Sequence, residues 1–494
     1  STYIRAGIVD ARATSSWTFA MAEHCRAMPT LAIVNGKVWA APRATAVLLD
    51  GERIVAVGTG RFPADRVLDA GGLAIIPAFN DAHVHFLTAS RSLGQLDLFG
   101  AATQAEVEAR IRRYASGHKG GWIVGRGWLY SAFPGGMPDI AFLDRLVPDR
   151  PAYLESFDAH TGWANSRALE IAGTAARGVL KEAAMETVTR HIARPSRDDD
   201  LDTLRAGMRL ASSRGIGSVQ EAGDGHGQLE LWRSLRDRGE LTVRVRLAFD
   251  LTPEADIARY GEPAPGDAWI STGILKAFAD GVVESKTAAM LAPYEGSDET
   301  GEPLWSPDQL TAAVRAADAR GWQVQIHAIG DAAIRIALDA FEGTTAGRRH
   351  RVEHVETPDP SDIQRFARLG VVASMQPQHA DPEITRAWKD NLGHERAARG
   401  WPWRALLNSG VRLAFGTDWP VVPLDPFASL RMATRTLTMD EAMNAWTSGG
   451  AYAEHMDREK GEVREGMLAD LAVVDLERSV VRATVVGGRV VYES

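Results

Sequence analysis

Short stretches of alternating apolar and polar residues begin about thirty residues into the chain. Pairs such as Asn-Gly, Asp-Gly and Gly-Gly separate them, and these pairs are typical of tight turns between antiparallel strands. The stretches are residues 28–39, 45–58 and 66–72. They predict a small sheet near the N-terminus. Residues 1–27 lack this periodicity, and we interpret them as an N-terminal extension with no assigned role.

The C-terminal end has the same alternating pattern, in residues 466–475 and 480–492. Two β-rich ends that flank a mixed middle are most simply explained by one domain assembled from both termini. The sequence therefore predicts a composite β-sandwich domain formed by residues 28–74 and 462–494.

The middle of the chain alternates strand-like apolar runs with helical stretches. This alternation is typical of a parallel sheet, and eight units predict an α/β fold with a (β/α)8 TIM-type barrel over residues 75–461. The long segment 86–215, between the first and second runs, predicts an inserted subdomain that caps the barrel mouth. The eight strand-like runs are residues 75–81, 216–221, 243–249, 273–278, 323–327, 350–354, 371–376 and 412–417.

Residues that commonly bind metal ions lie at the ends of these runs. His83 and His85 are two residues apart on a predicted strand, so both imidazoles share a face and can reach one ion. In (β/α)8 barrels the chemistry takes place at the carboxyl ends of the strands. The barrel would bring one set of candidate ligands to that end: His83, His85, Lys276, His327, His354 and Asp418.

This set can serve one or two divalent ions. The first histidine pair would hold one ion, His327 and His354 a second, and Asp418 would reach the first ion and a water molecule. Lys276 is anomalous, because a protonated amine beside two cations is electrostatically untenable. Either the site holds one ion and Lys276 turns away, or the neutral amine has taken up carbon dioxide to form an anionic, bridging carbamate.

The motifs around these residues agree with one another in order and spacing. They are Asp81-Ala82-His83-Val84-His85, Leu275-Lys276-Ala277-Phe278-Ala279-Asp280-Gly281, His327-Ala328-Ile329-Gly330-Asp331, Arg351-Val352-Glu353-His354, Ser374-Met375-Gln376-Pro377 and Phe415-Gly416-Thr417-Asp418. Together they resemble the amidohydrolase superfamily of metal-dependent hydrolases, and within it the YtcJ-like branch that includes the N-substituted formamide deformylases. The resemblance covers nearly everything from residue 29 to the end and implies a carbamate on Lys276. Where the branch commonly has Gly-Ser-Arg after this strand, the chain has Glu284-Ser285-Lys286.

The predicted activity is hydrolysis of a C–N bond in a small amide, N-substituted formamide or carbamate by a metal-activated hydroxide. Asp418 would act as the proton shuttle, taking a proton from the attacking water and returning it to the leaving nitrogen. Nitrogen and oxygen ligands suit Zn²⁺ best, with Mn, Fe, Co or Ni as alternatives. Ester or lactone hydrolysis, deamination, and a non-catalytic metal-bound interaction protein are the other hypotheses. A non-catalytic protein would have no need of the proton shuttle that Asp418 would provide.

Several residues near the predicted mouth are candidates for contact with a small-molecule substrate. The chain has 14 Trp residues, many of them in the predicted mouth segments or the inserted region, which would favour a partly apolar or aromatic substrate. The candidate contacts are His160, Gln376, His379, Trp128 and Trp419.

Composition narrows the class of protein further. With 494 residues, 45% hydrophobic and 24% charged, the chain can bury a large core, and a net charge of −9 gives no sign of a nucleic-acid surface. The single cysteine, Cys25, excludes an internal disulfide framework and fits a reducing compartment. No apolar run approaches the length of a membrane span. We therefore expect a cytoplasmic enzyme with no nucleic-acid or membrane partner, and a homo-oligomer is consistent with the architecture.

Overall fold

The computed structural model describes residues 29–223, 225–264 and 266–494. The N-terminal extension predicted for residues 1–27 lies outside the described residues. Within them the chain forms four sheets, one of which is the predicted barrel. The strands are β1 (Leu31–Val34), β2 (Lys37–Val38), β3 (Ala46–Asp50), β4 (Arg53–Gly58), β5 (Arg66–Asp69), β6 (Ala74–Pro77), β7 (Phe79–Val84), β8 (Leu96–Asp97), β9 (Ile123–Trp128), β10 (Ala152–Ser156), β11 (Thr161–Ala164), β12 (Val179–Lys181), β13 (Ile216–Glu221), β14 (Arg244–Asp250), β15 (Ile270–Phe278), β16 (Gln323–Ala328), β17 (Arg351–His354), β18 (Val372–Met375), β19 (Leu413–Phe415), β20 (Leu471–Asp475), β21 (Val480–Val486) and β22 (Arg489–Glu493).

The α-helices lie mainly between the strands of the barrel. Several begin with a side-chain cap, as where Ser306 accepts a hydrogen bond from the backbone of Gln309 at the start of α8. The helices are α1 (Phe86–Ser92), α2 (Gln104–Gly117), α3 (Ile140–Leu146), α4 (Ser166–Ala172), α5 (Glu186–Thr189), α6 (Arg197–Ser213), α7 (Gly225–Asp237), α8 (Pro307–Ala319), α9 (Asp331–Phe341), α10 (Ile363–Leu369), α11 (Arg386–Ala397), α12 (Trp403–Asn408), α13 (Pro426–Ala433), α14 (Met439–Trp446) and α15 (Ser448–Ala453).

Eight parallel strands form the central sheet, in the order β19-β18-β17-β16-β15-β14-β13-β7. The predicted α/β barrel is therefore confirmed. Two hydrogen bonds draw its ends together near the carboxyl side: Asp418 N donates to the His83 carbonyl at 2.7 Å, and His85 N donates to the Trp419 carbonyl at 2.9 Å. The first and last strands of the barrel therefore approach each other at residues that include predicted metal ligands.

Seven of the eight barrel strands match their sequence predictions closely, but the first does not. The run predicted at 75–81 combines parts of two strands, because β6 pairs with β20 of the terminal domain and only β7 enters the barrel. Ala78 alone separates β6 from β7. Pro77, the last residue of β6, is the one signal of a break here, because the apolar residues continue on both sides of it and run from one sheet into the next.

The two chain ends pack together as two further sheets. One has the order β4-β3-β1-β5, and the other has the order β2-β6-β20-β21-β22, which combines strands from both ends of the chain. A buried ion pair joins this unit to the barrel: Arg244 Nε lies 2.7 Å from Asp470 Oδ2, and Arg244 Nη2 donates to Asp470 Oδ1 at 3.0 Å.

A five-stranded sheet is inserted between the first two barrel strands, in the order β12-β11-β10-β9-β8. It has its own hydrophobic core, separate from the barrel core. Helices α1 and α6, at the two ends of the predicted 86–215 segment, instead contribute their buried residues to the barrel core. The inserted sheet itself begins at Leu96 and ends at Lys181.

No helix in residues 29–223, 225–264 or 266–494 is long and apolar enough to cross a bilayer.

Candidate metal centre

The predicted metal ligands gather at the carboxyl end of the barrel. They lie in or directly after five strands that run in the same direction, so their side chains converge although they are far apart in sequence. His83 lies in β7 and His85 follows it, Lys276 lies in β15, His327 in β16 and His354 at the end of β17, and Asp418 follows β19.

Asp418 is at the centre of this group. Its Oδ1 atom lies 3.5 Å from His83 Nε2 and 3.4 Å from His85 Nε2. Ligand atoms of these three residues all lie within 4.8 Å of one another, which is compatible with a shared cation. These are the three residues that the sequence analysis assigned to the first ion, and their ligand atoms lie close enough for that prediction.

The other carboxylate oxygen of Asp418 faces a second candidate group. Asp418 Oδ2 lies 3.8 Å from His354 Nδ1 and 3.7 Å from His379 Nε2. His379 was predicted as a substrate contact, yet it belongs to this group of three candidate ligands. The predicted partner of His354, His327, has its ring centre 4.4 Å from that of His354.

Two candidate ligands have a backbone conformation that is unusual for their residue type. His354 has φ of 74° and Asp418 has φ of 57°. Such left-handed conformations cost free energy in non-glycine residues and concentrate at functional sites. Asp81 supports the turn at Asp418, since its carboxylate accepts hydrogen bonds from Thr417 N at 2.9 Å and from Thr417 Oγ1 at 2.6 Å.

Neighbouring side chains orient two of the histidines. His83 Nδ1 contacts Glu353 Oε2, and His354 Nδ1 lies 2.8 Å from Gln376 Oε1. Glu353 is held in turn by Arg351, whose Nε lies 2.8 Å from Glu353 Oε1. Carboxylate or amide partners of this kind fix the ring orientation of a metal-binding histidine.

Lys276 lies among these groups, and its Nζ is 4.6 Å from the centre of the Phe278 ring. Its side chain is buried, and its Nζ makes no hydrogen bond to any described residue. Burial lowers the pKa of this amine to about 8, although the negative charges of Glu353 and Asp418 act in the opposite direction. Near pH 8 a substantial fraction of the Lys276 amine is therefore neutral, and the neutral amine is the form that reacts with carbon dioxide.

The residues present fit a bound cation. Among the described residues, the buried polar atoms that lack hydrogen-bond partners include atoms of four candidate ligands: His83 Nε2, Lys276 Nζ, His379 Nε2 and Asp418 Oδ1. Burial lowers the pKa of His85 to about 3 and lowers the pKa of His83 and His354 well below the usual value. Neutral imidazole is the metal-binding form, so these histidines are ready to act as ligands.

A cavity of about 640 Å³ opens beside the candidate ligands. Its walls combine barrel residues with residues of the inserted subdomain, including apolar side chains such as Phe157 and Val282. His160 enters from the inserted subdomain, and its ring centre lies 5.8 Å from that of His327. Glu182 Oε2 lies 2.9 Å from His160 Nδ1 and, with burial opposing it, raises the pKa of this imidazole.

The predicted substrate contacts divide into two sets. His160 and His379 line the cavity, whereas Gln376, Trp128 and Trp419 do not. Gln376 contacts His354 instead, and Trp419 packs edge-on against Phe86 in the barrel core. Trp128 is fully buried in the core of the inserted subdomain, where its indole N–H donates to the Leu154 carbonyl at 3.0 Å.

A bulge in β9 explains why Trp128 turns away from the cavity and Arg126 lines it. Residues two apart on a regular strand share a face, but here Glu155 pairs with Arg126 and Ser156 pairs with Trp128, so β9 has one extra residue. That residue is Gly127, with φ of 88°. The sequence analysis missed Arg126, although a glycine inside a strand pattern is a known signal of a bulge.

Comparison with known proteins places this geometry in a family. The model of the amidohydrolase family matches residues 66–492. The protein YtcJ of Bacillus subtilis is 25% identical over 90% of this chain and 97% of its own length. An N-substituted formamide deformylase of Arthrobacter pascens is 26% identical over 87% of this chain and 90% of its own length. These matches confirm the resemblance to the YtcJ-like branch.

A solved structure supports the same fold. An uncharacterized metal-dependent hydrolase from Pyrococcus horikoshii OT3 superposes with a TM-score of 0.72 and 22% identity, covering 90% of this chain and 98% of the other. The family model accounts for most of the chain, from β5 to β22, and so includes the barrel, the inserted sheet and much of the two terminal sheets. The chain belongs to the amidohydrolase family of hydrolases.

Proposed function

We propose that the chain is a metal-dependent hydrolase that cleaves a C–N bond in a small amide, N-substituted formamide or carbamate. The observation that carries this proposal is the position of Asp418, whose two carboxylate oxygens face two groups of histidine nitrogens beside the cavity. The similarity to an N-substituted formamide deformylase supports the bond type.

The ligands can be assigned to two sites that share Asp418. His83, His85 and Asp418 would hold one divalent ion, most suitably Zn²⁺, while His354 with His327 or His379 would hold the second. Bound ions supply a Lewis acid that polarises the scissile carbonyl and lowers the pKa of water.

Lys276 would complete this site as a carbamate. Its neutral amine attacks carbon dioxide to form a new N–C bond, and one proton is released, so a potentially positive side chain becomes an anion. The buried amine, unpaired within the described residues, has the reactivity that this step needs. An anionic Lys276 would also offset the repulsion between two nearby cations.

Asp418 would then move the proton that amide hydrolysis requires. Burial raises the pKa of its carboxyl group to about 6. A carboxyl with a pKa close to neutrality can accept a proton from water and give it back to the leaving nitrogen. This transfer matters because an unprotonated amine anion is a very poor leaving group.

The test compares wild type with Asp418→Asn on p-nitroformanilide, p-nitroacetanilide and p-nitrophenyl acetate, each assayed after chelation and after metal is restored. We expect metal-dependent anilide cleavage that falls at least about 100-fold in Asp418→Asn. Asp390→Asn, which changes an exposed carboxylate, should leave the rate unchanged. Cleavage of the ester alone would contradict the C–N assignment, and cleavage that survives chelation would contradict the metal requirement.

A further inference from the structure

Arg126 is a buried cation that faces the cavity. Its side chain comes from β9 of the inserted sheet, it is 6% exposed, and it lines the same cavity as Asp418 and His85.

The guanidinium group of Arg126 is almost unpartnered. Its only hydrogen bond within the described residues runs from Nη2 to the Phe157 carbonyl at a long 3.4 Å, and Nε has no partner. No carboxylate in residues 29–223, 225–264 or 266–494 approaches it within 4.0 Å. A guanidinium carries five donor hydrogens, so most of its hydrogen-bonding capacity is unused.

The other buried arginines show what this fold normally supplies. Arg244 makes two contacts with Asp470, and Arg246 donates to Gln323 Oε1 at 2.9 Å and to the Glu454 carbonyl. Arg351 contacts Glu353 and donates to Ser374 Oγ at 2.9 Å. Arg246 and Arg351 also have an Nε without a hydrogen-bond partner, so what distinguishes Arg126 is that its one hydrogen bond is long. Burying a charge with so few partners costs free energy and requires an explanation.

Several acidic groups on the cavity wall have other partners. Glu182 pairs with His160, and Glu356 Oε2 accepts a hydrogen bond from Trp388 Nε1 at 2.8 Å. Asp158 Oδ1 accepts hydrogen bonds from Ser156 Oγ and, at 3.1 Å, from the backbone N–H of His160. These contacts occupy three carboxylates of the wall. Glu155, which pairs with Arg126 between β10 and β9 and also lines the cavity, forms no ion pair with the guanidinium within 4.0 Å.

We propose that Arg126 binds a carboxylate group of the substrate, so that the substrate is an amide or formamide whose substituent bears a carboxylate. A guanidinium matches a carboxylate through two parallel hydrogen bonds, and a dry site strengthens both. The reaction named here rests on the proposed function, whereas the anion site rests on Arg126 itself. The bulge at Gly127 gives the inserted subdomain a role in selecting substrate.

The test measures binding without turnover, by isothermal titration calorimetry on the protein as purified. The probes are 3-phenylpropionate and 3-phenylpropan-1-ol, which share a phenyl chain and differ in the anionic group. We expect wild type to bind the carboxylate at least about tenfold more tightly than the alcohol, as a charge-assisted pair should. Arg126→Gln should bring this ratio close to one, and Arg126→Lys should retain part of it.

Two controls separate recognition from structure. Arg145→Gln changes an exposed arginine of the same subdomain and should keep the wild-type ratio. The melting temperature of Arg126→Gln should equal or exceed that of wild type, because an unpaired buried charge is removed.

Three results would overturn the inference. The first is a wild type that shows no preference for the carboxylate over the alcohol. The second is a preference that survives in Arg126→Gln, because another group would then hold the anion. The third applies if Arg126→Gln fails to fold, and it is an affinity ratio in Arg126→Lys equal to that of wild type. None of these bears on whether amides are cleaved. Conversely, absence of anilide cleavage with the preference intact would contradict the proposed function alone.

Discussion

His83 Nδ1 lies 2.5 Å from Glu353 Oε2, and both side chains are fully buried. The two residues come from barrel strands β7 and β17, which are far apart in sequence. This contact occupies one ring nitrogen of His83, so the other nitrogen, Nε2, is left facing Asp418. Glu353, which does not line the cavity beside the ligands, thus orients a candidate metal ligand.

Glu353→Gln tests this orienting role. The amide keeps a hydrogen-bond acceptor but loses the negative charge, so we expect metal affinity to fall by about 10- to 100-fold. Chelator competition measures the affinity. Glu342→Gln, which changes an exposed carboxylate that pairs with Arg365, should bind metal like wild type. An unchanged affinity in Glu353→Gln would show that the contact does not tune the ligand.

Asp470→Asn tests the ion pair that joins the terminal domain to the barrel. Both carboxylate oxygens of Asp470 accept hydrogen bonds from Arg244, so the change leaves the buried guanidinium without the negative charge that balances it. We expect the free energy of unfolding to fall by about 3 kcal/mol in urea denaturation. Glu240→Gln, at the more exposed pair with Arg205, should cost about 1 kcal/mol or less. Equal effects would mean that burial of the pair contributes nothing.

Gly127→Ala tests the bulge that separates Arg126 from Trp128. A Cβ at this position would lie 2.7 Å from Phe99 N, and φ of 88° is strained for alanine. We expect a loss of about 1–3 kcal/mol in unfolding free energy, together with loss of the carboxylate preference. Gly94→Ala, where the added atom meets open space, should have neither effect. A variant that keeps the preference would show that Arg126 is directed by other contacts.

His350 predicts a component of acid sensitivity. Burial lowers its pKa from 6.5 to about 4, and its ring stacks on Phe341 while Nδ1 accepts a hydrogen bond from Val324 N. Between pH 6.5 and 4 the unfolded chain therefore binds a proton that the folded chain does not, so stability falls as pH is lowered. The slope from one such group is about 1.4 kcal/mol per pH unit.

His350→Asn keeps an acceptor for Val324 N but has no titrating ring. We expect its unfolding free energy, measured by urea denaturation in chelator, to depend less steeply on pH across this window than that of wild type. Identical slopes in the two proteins would rule out a contribution from His350.

The sequence predicted those features that depend on periodicity within one segment. His83 and His85 followed from two-residue spacing, and Lys276, His327, His354 and Asp418 followed from their places at strand ends. The barrel then brought them together because parallel strands share a carboxyl end. The boundary near Ala78 was not predicted, since apolar residues continue from one sheet into the next and Pro77 was not taken as a break.

Features that depend on local departures from regular structure were not predictable in the same way. The bulge at Gly127 puts Trp128 on the opposite face of the strand from Arg126, so that Arg126 and not Trp128 lines the cavity. His379 moves next to His354 because a 3-10 helix, Pro377–Ala380, follows β18. Each case depends on a local irregularity of the backbone that the pattern of apolar residues does not predict.

The central claim is that Lys276 completes a two-ion site around Asp418. Metal content per chain, measured by inductively coupled plasma mass spectrometry on wild type and Lys276→Ala purified without added metal, tests it most directly. The account predicts close to two ions in wild type and one or fewer in Lys276→Ala. One ion in both proteins, with equal affinity, would contradict it and indicate a mononuclear site in which Lys276 takes no part.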